Sequence, residues 1–192
     1  MPFEKREALF SNVVKVIDEN LEKVSRAIAE QWKQSRHQDL SQALQNIKTG
    51  LGQQTKKMTL RILEQLLLKE KARAGMRDFS DMLSNSVFIS SVFVCAQETT
   101  LYISNDKSLT LPQMLKEIDL KAFDFWRILN GFIKYDPHMP KQIKLHFREI
   151  EINVVSEYAW EPQSPVVQVI RKLCSEYAKS ESEQNRSVLA PY

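Results

Sequence analysis

Asp119 to Lys134 reads DLKAFDFWRILNGFIK, and the class of fold follows from this stretch. Phe123, Phe125, Trp126, Ile128, Leu129, Phe132 and Ile133 leave almost no side of a helix polar, and a helix that is apolar all round must be enclosed by others. The stretch is therefore predicted to be the hub of an all-α domain of about seven to eight helices. Asp119 is assigned as its N-cap, because a short carboxylate accepts from the unpaired N–H groups of a first turn. Gly131 costs up to about 1 kcal/mol against Ala inside a helix, so its use is read as close approach of a neighbour.

Working outward, the same period of three and four recurs. Leu9, Val13, Val16, Ile17, Leu21, Val24, Ile28 and Trp32 predict one long amphipathic helix from Lys5 to about Gln34. Leu40, Leu44, Ile47 and Leu51 suit a short helix ending at Gly50 or Gly52. Thr55 is taken as the cap of the next helix, whose Met58, Ile62, Leu63 and Leu66 face inwards. Lys69, Lys71 and Arg73 meet the negative end of its dipole before Gly75 stops it. Phe79 to about Tyr102 is nearly continuous in apolar residues in its second half and should also be enclosed, with Ser90, Ser91, Thr99 and Thr100 as packing hydroxyls. After a polar loop at Ser104 to Ser108, Thr110 caps a short helix that admits Pro112 in its first turn. From Pro140 to about Trp160 the stripe is Ile143, Phe147, Ile150, Val154 and Tyr158. Val166 to about Ala178 forms a last short helix, and Lys179 to Tyr192 reads as a polar, disordered tail.

The chain has 192 residues, enough for one domain with a sizeable core. Only four glycines and few β-branched alternations argue against a β fold. A net charge of +3 is too weak to imply nucleic-acid binding by bulk electrostatics. Lys56, Lys57, Lys69, Lys71, Arg73 and Arg77 lack interleaved aromatics and read as a solvated helix face. Cys95 and Cys174 lie far apart with no Cys-x-x-Cys, which favours a reducing intracellular compartment. No apolar run reaches the roughly 20 residues of a membrane span, so a soluble protein is expected.

No catalytic constellation emerges. His37, His138 and His146 are dispersed and neither cysteine has a ligand neighbour, so no metal or other cofactor is expected. No nucleophile elbow is present, and Cys95 in an apolar helix is a small hydrophobe. The chain is read as a non-enzyme.

LKAFDFWRILNGFIK, followed at a fixed distance by SEYAWEPQSP (Ser156 to Pro165), closely resembles the A half of the pocket domain of retinoblastoma-type proteins. DFSDMLSNSVFISSVFVCA (Asp78 to Ala96) is similar to a helix pair of the same family, and an LFSNVVKVID phrase opens the chain. The resemblance covers roughly Lys56 to Ile170. It implies a cyclin-like domain over residues 1–178, a binding scaffold of cell-cycle transcriptional repression, nuclear, with residues 179–192 as tail. An alternative with the same fold is a cyclin-like regulatory subunit acting on a kinase, for which no kinase-surface motif is present.

The resemblance also implies partners and sites. The groove between A and B halves binds activating segments of cell-cycle transcription factors. Its charged contacts fall on Glu70, Arg73, Asp81, Asn130, Lys134, Leu145, Arg148 and Glu151. Glu70, Arg73, Lys134 and Glu151 keep the family character, whereas Asp81 and Leu145 stand for Lys, and Asn130 and Arg148 stand for Glu. Asp81 and Arg148 reverse charge, and like-sign contacts across an interface can cost several kcal/mol. Met1 falls within the A half, so the family's first helices are expected to be missing or shortened. The B half and its Leu-x-Cys-x-Glu groove are expected to be absent. A B half in cis or trans should cover the apolar surface of Val87 to Ala96 and Phe123 to Ile133, and the chain should otherwise self-associate. No nucleic-acid or membrane partner is implied. Ser164, before Pro165, matches a family site for proline-directed phosphorylation.

Overall fold

In the computed structural model, residues 3–34, 50–74, 78–135 and 139–158 are described, together with 164, 167–168, 170–172 and 174–175. The predicted helix over Arg36 to Gly50 and the tail from Lys179 fall outside the described residues, as do Gly75, His37 and His138. Contacts divide the chain into two units, Met1–Glu149 and Ile150–Tyr192. Among the described residues there are seven helices and no strand: α1 Phe3–Gln34, α2 Gly52–Ala74, α3 Ser80–Ser84, α4 Ser86–Ile103, α5 Leu111–Ile118, α6 Ala122–Tyr135 and α7 Lys141–Tyr158. The domain is all-α, as the spacing predicts.

The hub is α4 rather than the helix at Asp119–Lys134. Ile89 to Gln97, with Thr99, Thr100 and Leu101, are all buried, because α1, α2, α3, α5 and α6 pack around α4. On α6 only Phe125, Leu129 and Phe132 are buried, while Phe123, Trp126, Ile128 and Ile133 are half-covered. The expected apolar face at Val87 to Ala96 is correspondingly not an exposed surface: everything in it from Ile89 onward is core. Large apolar side chains stand out elsewhere in this unit, at Phe10, Leu68, Tyr102, Ile103 and Leu145. By length and composition α4 could cross a bilayer, yet 67% of it is buried inside the fold, which is the setting of a core helix.

An apolar helix surrounded on all sides must satisfy its polar side chains internally. The Ser90 hydroxyl accepts from Asn20 Nδ2 of α1 at 2.8 Å, and the Thr55 hydroxyl of α2 donates to Thr100 Oγ1 at 3.3 Å. Ser91 and Thr99 donate one turn back, to the carbonyls of Val87 and Cys95. The four hydroxyls are thus packing groups, as expected. Thr55, by contrast, is not a cap: α2 already begins at Gly52 and Thr55 is a buried residue within it. On α1, Val13, Ile17, Val24 and Ile28 are buried in the predicted stripe. On α2 Ile62, Leu63 and Leu66 are buried and Met58 is half-covered.

The helix ends are set by two non-glycine residues in the left-handed region. Asn105 (φ 50°) ends α4 and Asp119 (φ 60°) ends α5. At each, the N–H of the left-handed residue and that of its successor return to carbonyls of the last turn: Asn105 to Tyr102 and Asp106 to Leu101, Asp119 to Lys116 and Leu120 to Leu115. This is the paired closure of a Schellman end, completed at α5 by buried Leu115 and Leu120. Asp119 therefore terminates α5 and does not cap α6, which starts at Ala122 with the Lys121 carbonyl accepting from Asp124 and Phe125. At Asn85 the chain divides into α3 and α4, in keeping with the helix pair that the resemblance implies, and the Asn85 side chain accepts from the Phe88 N–H at 3.2 Å. Thr110 caps α5 as expected, its N–H and hydroxyl both donating to Gln113 Oε1.

α7 runs from the first unit into the second. Ile143 and Phe147 are buried in the first, where Phe147 meets the edge of Phe132 at 4.9 Å. In the second, Ile150 and Val154 are buried, and the Ser164 carbonyl accepts from the Gln168 N–H at 3.1 Å.

Candidate partner-binding site

Three helix segments meet near the C-terminal end of α6. Lys69 Nζ on α2 donates to the Lys134 carbonyl at 3.1 Å, filling one of the acceptors that a helix end leaves open. One residue beyond Lys69, Glu70 is held by Arg73 through Nη2 at 2.8 Å and Nε at 3.3 Å. Glu70 is largely covered and Arg73 largely exposed, so the pair presents a guanidinium to solvent.

Between α6 and the first turns of α7 lies a groove of about 300 Å³, lined by Asn130, Ile133, Lys134, Lys141, Lys144, Leu145 and Arg148. Four of its side chains are cations, none is a carboxylate, and Ile133 and Leu145 supply apolar contact. Lys141 and Lys144 sit in the first turns of α7, where the positive end of the helix dipole adds to their field. Chemically the lining is basic with two apolar side chains, a surface complementary to negative charge.

Of the eight sequence-assigned positions, Asn130, Lys134, Leu145 and Arg148 are gathered in this groove, and Glu70 and Arg73 lie next to the Lys69 tie on α2. Asp81 is exposed on the short α3, outside the groove lining. Glu151 is half-covered on α7, in the second unit. Nothing in the spacing of Lys141 and Lys144 shows that they face Lys134. Ser164 is only 2% exposed.

A second cluster escaped the sequence reading. His146 on α7 bonds Glu98 of α4 through Nε2 at 2.8 Å and stacks on Tyr102 with ring centroids 4.2 Å apart. Glu98 and Tyr102 lie one turn apart on α4, but His146 is 48 positions beyond Glu98 on another helix, and no local pattern announces the pairing. His146 is thus a packing histidine, as its dispersed position suggested. Cys95 is fully enclosed, and burial, aided by the Glu98 carboxylate nearby, pushes its thiol far above the usual range. A thiol so placed is a poor nucleophile.

A profile of the Retinoblastoma-associated protein A domain matches residues 4–170. The chain belongs to that family. This A domain is 25% identical over 108 residues to Retinoblastoma-related protein 3 of Zea mays, a match covering 56% of this chain and 11% of the relative. Retinoblastoma-related protein 2 of Zea mays is 24% identical over the same length, and Retinoblastoma-related protein 1 of Triticum aestivum also 24%, covering 12% and 11% of those proteins. The A domain thus spans little more than a tenth of the length of these relatives. Its match reaches back to residue 4, well before Lys56, so α1 is part of the family domain although its sequence carries only a short family-like phrase.

Proposed function

We propose that this chain is a non-enzymatic binding module of cell-cycle transcriptional control, in which the α6–α7 groove takes an acidic activating segment of a transcription factor. The observation that carries the reading is the groove itself: Lys134, Lys141, Lys144 and Arg148 around Ile133 and Leu145, without a carboxylate in the lining. Replacement of a family Glu by Arg148 makes the groove more basic, which favours acidic partners over the mixed-charge contacts of the family. The domain extends over residues 1–178, acts in the nucleus, and works with a B half in cis or trans. Glu70, Arg73 and Glu151 are assigned as further partner contacts, and Ser164 as a modification site.

The test is fluorescence anisotropy with a labelled acidic activating segment and the purified chain. Reversing two groove cations, K134E with K144E, should weaken binding at least about tenfold, or about 1.4 kcal/mol, and binding should fall with salt. Affinity unchanged by the double reversal would refute the groove assignment. The chain added to a cyclin-dependent kinase should not raise its activity, and a rise would favour the kinase-subunit reading.

A further inference from the structure

On the opposite flank of α2 from its tie to α6, the first two long helices leave a larger groove. α1 and α2 both pack on α4, and between them opens a volume of about 900 Å³. Its apolar wall is Leu9, Phe10 and Val13 from α1 and Leu60, Leu63 and Leu67 from α2, with Phe79 and Leu83 at α3. Phe10 is 61% exposed, a large aromatic that the rest of the chain does not cover.

The charges at this groove differ from those elsewhere on α2. Arg6, Lys57 and Arg61 contribute three cations against one carboxylate, Glu64. Neighbouring Lys56 is held by Asp18 at 2.6 Å, whereas Arg6, Lys57 and Arg61 have no hydrogen bond or ion pair among the described residues. Unpaired cations beside exposed apolar surface are complementary to a ligand with both acid and grease. Arg6 to Val13 extends about 10 Å along α1 and Lys57 to Leu67 about 15 Å along α2, at 1.5 Å per residue. Such a trough accommodates about three turns of helix, anchored by side chains at i, i+3 or i+4, and i+7.

We propose that the α1–α2 groove docks an acidic amphipathic helix of a protein partner, independently of the α6–α7 groove. A second copy of this chain is the poorer occupant, since an isologous contact would set one Arg6, Lys57 and Arg61 rim against another. Nucleic acid is poorer still, because the lining offers only Phe10 and the half-covered Phe79 as rings, among aliphatic side chains.

The experiment uses the full chain and a labelled synthetic helix with Leu and Phe at i, i+4 and i+7 and Glu on its flanks. Saturable anisotropy that weakens with salt is expected. Measured in K134E with K144E, so that the α6–α7 groove does not contribute, binding should persist, and it should drop tenfold or more when K57E with R61E, or F10A, is added. A photo-crosslinker on the helix should mark α1 and α2 in the unaltered protein, which keeps the test independent of how the variants fold. The proposal is overturned by absent saturation, by equal binding of a Lys-flanked or scrambled helix, or by crosslinks confined to α6 and α7. It is equally overturned if F10A dissolves a dimer of the chain for which the acidic helix does not compete.

Discussion

Removing the Ser90 hydroxyl should cost more stability than its size suggests. Ser90 Oγ accepts from Asn20 Nδ2 at 2.8 Å, and both residues are buried. In S90A the Asn20 amide keeps its position in the core without that acceptor, a loss of about 1–3 kcal/mol, offset by up to about 0.5 kcal/mol from the better helix propensity of Ala. The net expectation is a loss of about 0.5–2.5 kcal/mol. N20A is the less asymmetric change at the bond itself, because a helical Ser can instead donate to the carbonyl one turn back, as Ser91 does. In the double variant neither polar group is stranded, so the two losses should not add, and a coupling of about 1 kcal/mol is expected. Urea unfolding followed by far-ultraviolet circular dichroism measures all four corners of the cycle. Each kcal/mol should also move the melting temperature by roughly 2–4 °C for a chain of this size. Additive losses, or a neutral S90A, would show that α1 is not fastened to α4 through this pair.

Further outcomes follow from His146, Cys95 and Ser164. H146A removes both the Glu98 bond and the Tyr102 stack, and should lower unfolding stability by about 1–3 kcal/mol; an H146A within 0.3 kcal/mol of the parent, on the order of the additivity error, would deny the cluster a structural role. Native protein should react with one equivalent of thiol reagent, at exposed Cys174, and with a second only on unfolding. Because the Cys95 proton is retained in the folded state and released in the unfolded one above about pH 8.5, stability should fall as pH rises past that value, by up to about 1.4 kcal/mol per unit. C95A should flatten that slope, and an identical slope in C95A would refute the attribution. Ser164, 2% exposed, should be modified by a proline-directed kinase only as its segment opens. Its labelling should therefore accelerate in mild urea, and fast labelling without denaturant would contradict the burial.

The sequence pattern revealed helix number and inward faces well, because burial on one side writes itself into spacing: Val13, Ile17, Val24 and Ile28 on α1 are an example. It misplaced the hub, since an apolar run records burial but not how many neighbours supply it. Ser and Thr diluted the run in α4, and only the structure shows those hydroxyls consumed by Asn20, Thr55 and the helix's own carbonyls. Asp119 was misread for a related reason. A short acidic residue before an apolar stretch suits an N-cap, and it suits equally a left-handed residue closing the previous helix. The lining of the α6–α7 groove was legible only through family resemblance, and its Lys141 and Lys144 not at all, because facing across two helices leaves no mark in local spacing.

The enclosure of α4 has a consequence for how the chain is made. Two of the helices that cover it, α5 and α6, follow it in sequence and end only at Tyr135. At about 5–20 residues per second of synthesis, an 18-residue helix apolar enough to span a bilayer waits some seconds for its cover. During that interval it is a substrate for chaperones and for membrane-targeting factors that read apolar length. Chains truncated between Ile103 and Ala122 should aggregate or be captured, whereas those extended past Tyr135 should become soluble, and a series of arrested nascent chains would show where the change occurs.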